Sequence, residues 1–157
     1  MKITVENNSE KVLTVLQELF AKASDPEPML LLIGETLVDS TKQRFQNATD
    51  PDGNPWQANT QTTLDFYFRE FGTAKALNKK PLTGKTRELQ TTITYQVNGD
   101  ELLVGSPLRY AAMQHFGGTT SSQSMIPGKK IPARPYLGIS NEDEQEIVQI
   151  VGSYLVI

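Results

Sequence analysis

With 157 residues, 38% of them hydrophobic and 21% charged, the chain can bury a real core, which excludes a disordered or fibrous polypeptide. It has no cysteine, so disulfides, thiolate metal sites and cysteine nucleophiles are excluded and a reducing compartment is expected. A net charge of −3 argues against general nucleic-acid binding, which needs a basic face to release counterions.

That net charge hides an asymmetry. From Arg69 to Arg134 there are ten basic and four acidic residues, net +6; the rest of the chain has five basic and fourteen acidic, net −9. The halves read either as two solvated surfaces or as complementary faces of a subunit that stacks on copies of itself or on neighbours.

Met1 to Glu6 alternates like a strand and lacks an apolar leader core, so no signal peptide is expected. Ser9 is a plausible cap for a helix over 10–23, where Val12, Val15, Leu16, Leu19, Phe20 and Ala23 form one apolar stripe. Asp25-Pro26 reads as cap and first residue of a second helix reaching Asn47, with Leu30, Ile33, Leu37, Thr41 and Phe45 along one face. The longest apolar run, Met29 to Ile33, falls far short of the about 20 residues a membrane helix needs, so no membrane partner is expected.

Asp50 to Trp56 is dense in turn-forming residues, and the aromatic stretch 62–71 suits a helix. The small, basic segment 72–81 predicts a mobile loop, followed by a short turn or helix around 85–89. Ile93, Tyr95 and Val97 alternate, Asn98-Gly99 predicts a type I′ turn, and Leu102 to Val104 return as the second strand. A helix is expected after Pro107, including Tyr110, Ala111 and Phe116 and closing at Gly117 or Gly118; residues 119–124 read as flexible. Ser140 caps a last helix in a capping-box-like arrangement with Asp143, its buried side formed by Ile147, Val148, Ile150, Val151, Tyr154 and Leu155. Glu142, Asp143, Glu144 and Glu146 sit where the helix dipole favours negative charge, so they read as capping rather than as metal ligands.

The chemistry-bearing residues are few. His115 is the only histidine, so a histidine metal cluster is impossible and a catalytic triad would rest on it alone. No phosphate-binding loop, dinucleotide fingerprint, zinc-protease motif or nucleophile elbow occurs, so neither enzyme activity nor a cofactor is expected. Two segments stand out instead, 110–118 with its aromatics and paired glycines, and 131–138 with Arg134 held between Pro132 and Pro135. Prolines restrict the residues before them to extended backbone, so Arg134 sits on a stiff loop. It could anchor an internal carboxylate or backbone carbonyls, or it could meet another subunit. Trp56 divides the same way, between core plug and interface anchor.

The turn 50–56, the Thr83-Gly84 step and the segments 110–118 and 131–138 together resemble the phage virion morphogenesis family, which groups tail-completion and head–tail joining proteins of Mu-like phages and prophages. The likeness runs in order through about the whole chain. Where the family often has His-Gln before Phe-Gly, this chain has Gln114-His115, so His115 takes no role from the likeness. The resemblance implies a structural, non-enzymatic virion protein at the tail or neck, present in the host cytoplasm during assembly and forming a ring of about six copies through a head-to-tail interface; the alternative reading is a prophage-encoded cytoplasmic regulatory or chaperone-like binding module absent from the particle. Its implied partners are itself and neighbouring tail or neck proteins, with DNA contact by the basic middle left open. Trp56, Tyr110, Phe116, Arg134 and Tyr136 are the candidate interface residues, with the acidic start of the last helix as candidate partner for Arg134. The expected fold is α+β in one domain over 1–157: a small antiparallel sheet, packed against the two N-terminal helices and the C-terminal helix.

Overall fold

Two amphipathic helices open the chain, α1 (Glu10–Ser24) and α2 (Glu27–Asn47). The computed structural model describes residues 10–156, so the expected strand at Met1 to Glu6 and the Ser9 cap lie outside the described residues. Helix α2, 21 residues long and so about 30 Å from end to end, is the axis of the fold. One face buries Ile33, Val38, Thr41, Arg44 and Phe45. Its cap differs from expectation: Pro26 itself occupies the cap with near-helical angles (φ −79°, ψ −10°), and its carbonyl accepts from the Leu30 N–H at 2.9 Å. The Asp25 carbonyl is used elsewhere, accepting from the Tyr154 hydroxyl at 2.6 Å. The helix ends at Ala48, whose left-handed φ of 58° turns the chain into the 49–56 loop.

Helix α3 (Gln61–Phe71) follows, capped by the Thr60 side chain. The expected mobile loop after Gly72 instead contains a short helix, α4 (Thr73–Leu77), which packs back on α3 through the buried Ala76. A single helical turn, α5 (Glu88–Thr91), leads into the antiparallel hairpin β1 (Thr94–Asn98) and β2 (Glu101–Gly105). Asn98 pairs with Glu101, so the two loop residues are Gly99 and Asp100. Only Gly99 has positive φ, which rules out the expected type I′ turn and matches the mirror-type turn with glycine first.

The hairpin lies across α2. Tyr95 rests on Gly34, where an added Cβ would stand 2.4 Å from the ring. A glycine in mid-helix is thus explained by the close approach of an aromatic ring. Helix α6 (Ala111–Phe116) is followed by a second hairpin, β3 (Gly118–Thr119) with β4 (Lys130–Ile131). The segment expected to be flexible after Thr119 lies within this hairpin, closed by Thr120, whose N–H donates to the Lys129 carbonyl at 3.0 Å. The last helix, α7 (Asn141–Leu155), has the full capping box between Ser140 and Asp143.

The fold is α+β, but its layers differ in detail from expectation. The sheet rests on α2, α7 packs along α2, and α1 lies chiefly against α7. Phe20 and Val148, both expected on buried stripes, are therefore 59% and 65% exposed. The core centres on Phe45, whose ring stands 5.3 Å from both Trp56 and Tyr136, with Val38, Leu89, Ile93 and Ala111 around them.

Candidate interface surfaces

The segment 133–138 is a strap bonded from three sides. From the 56–58 side, the Trp56 indole N–H donates to the Pro135 carbonyl at 2.7 Å. In return, Arg134 Nε donates to the Gln57 carbonyl at 2.8 Å and its Nη2 to the Ala58 carbonyl at 3.1 Å. On the α6 side, the Arg134 N–H donates to Gln114, the Tyr136 hydroxyl to Ala111 at 2.9 Å, and the Tyr136 N–H to His115 Nδ1 at 3.3 Å. Beneath, Arg44 Nη1 donates to the carbonyls of Tyr136 and Gly138, both at 3.0 Å. Gly117 lets α6 come this close, since a Cβ there would stand 2.7 Å from the Ala133 nitrogen.

The motifs singled out in the sequence therefore converge on one buried node. Of the five candidate interface residues, three are spent inside the protomer: Trp56, Arg134 and Tyr136 are 6%, 8% and 1% exposed. Arg134 bonds backbone carbonyls rather than the acidic start of α7, where Asp143 is held by Arg44. Tyr110 and Phe116 remain outside, at 43% and 76% exposure, and Tyr110 donates its hydroxyl to Glu88 at 3.1 Å.

His115 accepts at Nδ1, so its neutral form carries the proton on Nε2, and burial pushes its pKa down. It is a packed histidine that orients the strap. Among the described residues, no group of three or more His, Asp or Glu could hold a metal, and no helix is long and apolar enough to cross a membrane.

Two outward surfaces of opposite charge remain. The first is an arm formed by α3, α4 and the loop 82–87. Lys85 Nζ stands 5.7 Å above the Phe66 ring and 5.5 Å above Phe71, Lys75 lies 5.3 Å above Phe71, and Lys79 lies 4.6 Å above Tyr67. Burial, and after it the charge of Arg87, lowers the pKa of Lys79. The second is a groove of about 950 Å³ between α2, the 49–53 turn and the start of α7, lined by Glu35, Asp39, Asp52, Glu142 and Glu146. The sequence does carry a local signal for the arm: the run Phe66, Tyr67, Phe71 followed by lysines at 75, 79 and 85. Nothing local marked Arg44.

A model of the phage virion morphogenesis family matches residues 7–156. Over 121 residues the chain is 33% identical to the "Putative capsid assembly protein G" of Escherichia phage Mu, covering 76% of this chain and 73% of that one. It is 26% identical over 148 residues to the "Mu-like prophage FluMu G protein 2" of Haemophilus influenzae, covering 94% and 91%. No solved structure matches the chain.

Proposed function

The chain belongs to the phage virion morphogenesis family, and from that premise we propose that it is a structural virion protein that completes the tail or joins it to the head as a ring of about six copies. A part in phage virion assembly follows from the family itself; the place in the particle and the ring are the finer reading. The name of the phage Mu relative, which speaks of capsid assembly, suits a position facing the head.

One observation carries the reading. The residues that could have made a reactive site are bonded within the protomer, while the outer faces keep two surfaces of opposite charge that no ion pair among the described residues joins. A protein built in this way presents surfaces rather than chemistry. Its partners are then further copies of itself and the adjacent tail or neck proteins, and its place is the virion.

Electron microscopy of particles made without the protein tests this. Full heads and finished tails accumulating unjoined are the expected result. Normal joined particles would overturn it, and unjoined parts together with absence of the protein from purified wild-type particles would make it a transient assembly factor instead.

A further inference from the structure

We propose that the lysine-bearing arm of one copy seats in the acidic groove of the next, so that these two surfaces are the two halves of the subunit contact. This rests on the ring reading above and names the surfaces that would close it.

The first argument is charge complementarity. Arg44–Asp143 is the one ion pair among the described residues, and it is internal. Lys75, Lys85 and Arg87 are exposed and have no carboxylate partner among the described residues. Glu35, Asp39, Asp52, Glu142 and Glu146 are likewise exposed, with no ion-pair partner among the described residues. A set of like charges left unpaired on each of two faces repels itself until the other face covers it. Single exposed pairs contribute little, but a complementary set fixes register and partner choice.

The second argument concerns what the arm can receive. Protein surfaces that bind single-stranded nucleic acid leave aromatic faces open for bases. Here the faces of Phe66, Tyr67 and Phe71 already carry lysine ammonium groups of the same chain. What remains available is the cation, held in place over a ring, and a carboxylate is its natural partner. The acidic balance of the whole chain points the same way.

The third argument is the backbone under the arm. Leu82 (φ 60°) and Arg87 (φ 56°) are non-glycine residues in the left-handed region, bracketing Lys85. Such conformations persist where surrounding structure imposes them, and they gather at binding surfaces. Two different patches meeting head-to-tail make a heterologous contact, which closes into a ring or extends into a filament.

The absence of native cysteine gives a clean test. Full-length chains carrying Lys85→Cys and, separately, Glu142→Cys are mixed at high concentration, one of them tagged, and oxidised; the double variant is oxidised alone and within assembled particles. Cross-links between unlike chains, and a ladder running past the dimer for the double variant, are expected. Cross-links only between like cysteines, or none in particles, would overturn the proposal, and a ladder that stops at dimer would replace the head-to-tail contact by a two-fold one.

A charge swap gives a second readout. Within the cysteine-bearing chains, Lys75→Glu with Arg87→Glu, and Glu35→Lys with Glu146→Lys, should each lower cross-linking by at least about tenfold while leaving the melting temperature close to wild type. Mixing the two reversed chains should restore it, because each reversed surface then meets its opposite. Failure of the mixture to recover, or retention of an oligonucleotide by the arm with no effect on cross-linking, would sink the idea. Unjoined heads and tails in the deletion experiment, alongside failed cross-linking, would leave the assembly role standing and remove only this contact.

Discussion

Arg44 on α2 and Asp143 in the first turn of α7, 99 residues apart in sequence, form a buried ion pair at 5% and 3% exposure. Three further N–H groups of Arg44 are directed at the Tyr136 and Gly138 carbonyls and at Ser40 Oγ, all at 3.0 Å. Asp143 Oδ2 also accepts from the Ser140 N–H at 2.8 Å, closing the capping box. One pair thus joins the fold's axis, the strap and the cap of the last helix. Desolvation offsets much of the attraction between buried charges, so the pair's contribution is chiefly to position these three elements against each other.

Removing one partner leaves the other charge buried and alone. Arg44→Met, which keeps an unbranched apolar stem but removes the guanidinium, is expected to lower unfolding free energy by about 3–5 kcal/mol in urea titrations. Arg44→Lys should recover little of this, because a single ammonium cannot reproduce the fork that reaches four oxygens. A stability loss under about 1 kcal/mol for Arg44→Met would show that the pair is dispensable.

The pH dependence should have two legs. Burial would raise the pKa of Asp143, but hydrogen bonds from Ser40 and Ser140 and the charge of Arg44 hold it below the usual carboxylate value. The unfolded state therefore binds this proton more readily, so the stabilisation is full above about pH 4 and is lost as pH falls through the folded pKa. Burial also lowers the pKa of His115, so protonation again favours the unfolded chain, and stability should begin to fall below about pH 6.5. Melting temperatures measured from pH 8 to 3 should show both legs, and His115→Gln should remove the upper one.

Gly34 and Tyr95 make a steric prediction. Alanine is the better helix former by about 1 kcal/mol, so Gly34→Ala would be stabilising on an isolated helix. Here the new Cβ would meet the Tyr95 ring at 2.4 Å, and the ring would have to leave α2. A net loss of about 1–3 kcal/mol is expected, as for overpacked cores. Gly34→Ala combined with Tyr95→Ala should lose less than the two single losses added together, which a thermal melt of the four-member cycle checks.

Local patterns were read well from the sequence, and distant partners were not. Ser140 and Asp143 announce a capping box within four residues, and the alternation from Ile93 to Val104 announces a hairpin. Helix α4 was not legible because the five residues Thr73 to Leu77 are too few to show a helical periodicity; its packing on α3, with Ala76 buried, holds it. The Arg44–Asp143 pair left no local trace, since each residue suits an exposed helix position when viewed alone. The stiffness of the Arg134 loop was legible from its prolines, but which way the guanidinium points depends on where Gln57 and Ala58 come to lie.

That orientation separates two classes of variant. Arg134 is 8% exposed and donates to two backbone carbonyls of its own chain, so Arg134→Ala strands both acceptors beside the core. A loss of about 2–6 kcal/mol is expected, taking roughly 1–3 kcal/mol for each of the two acceptors left unsatisfied, with a clear fall in melting temperature. Phe116 is 76% exposed, and its ring meets that of His115 in a T-shaped arrangement at 4.5 Å between centroids. Phe116→Ser should therefore melt within a few degrees of wild type while sharply reducing the yield of infectious particles, if its ring is covered by a neighbour in the assembly. Particle yield and melting temperature measured on both variants decide the matter. Equal falls in both quantities for Phe116→Ser, or an unchanged melting temperature for Arg134→Ala, would reverse the assignment of inside and outside that the strap imposes.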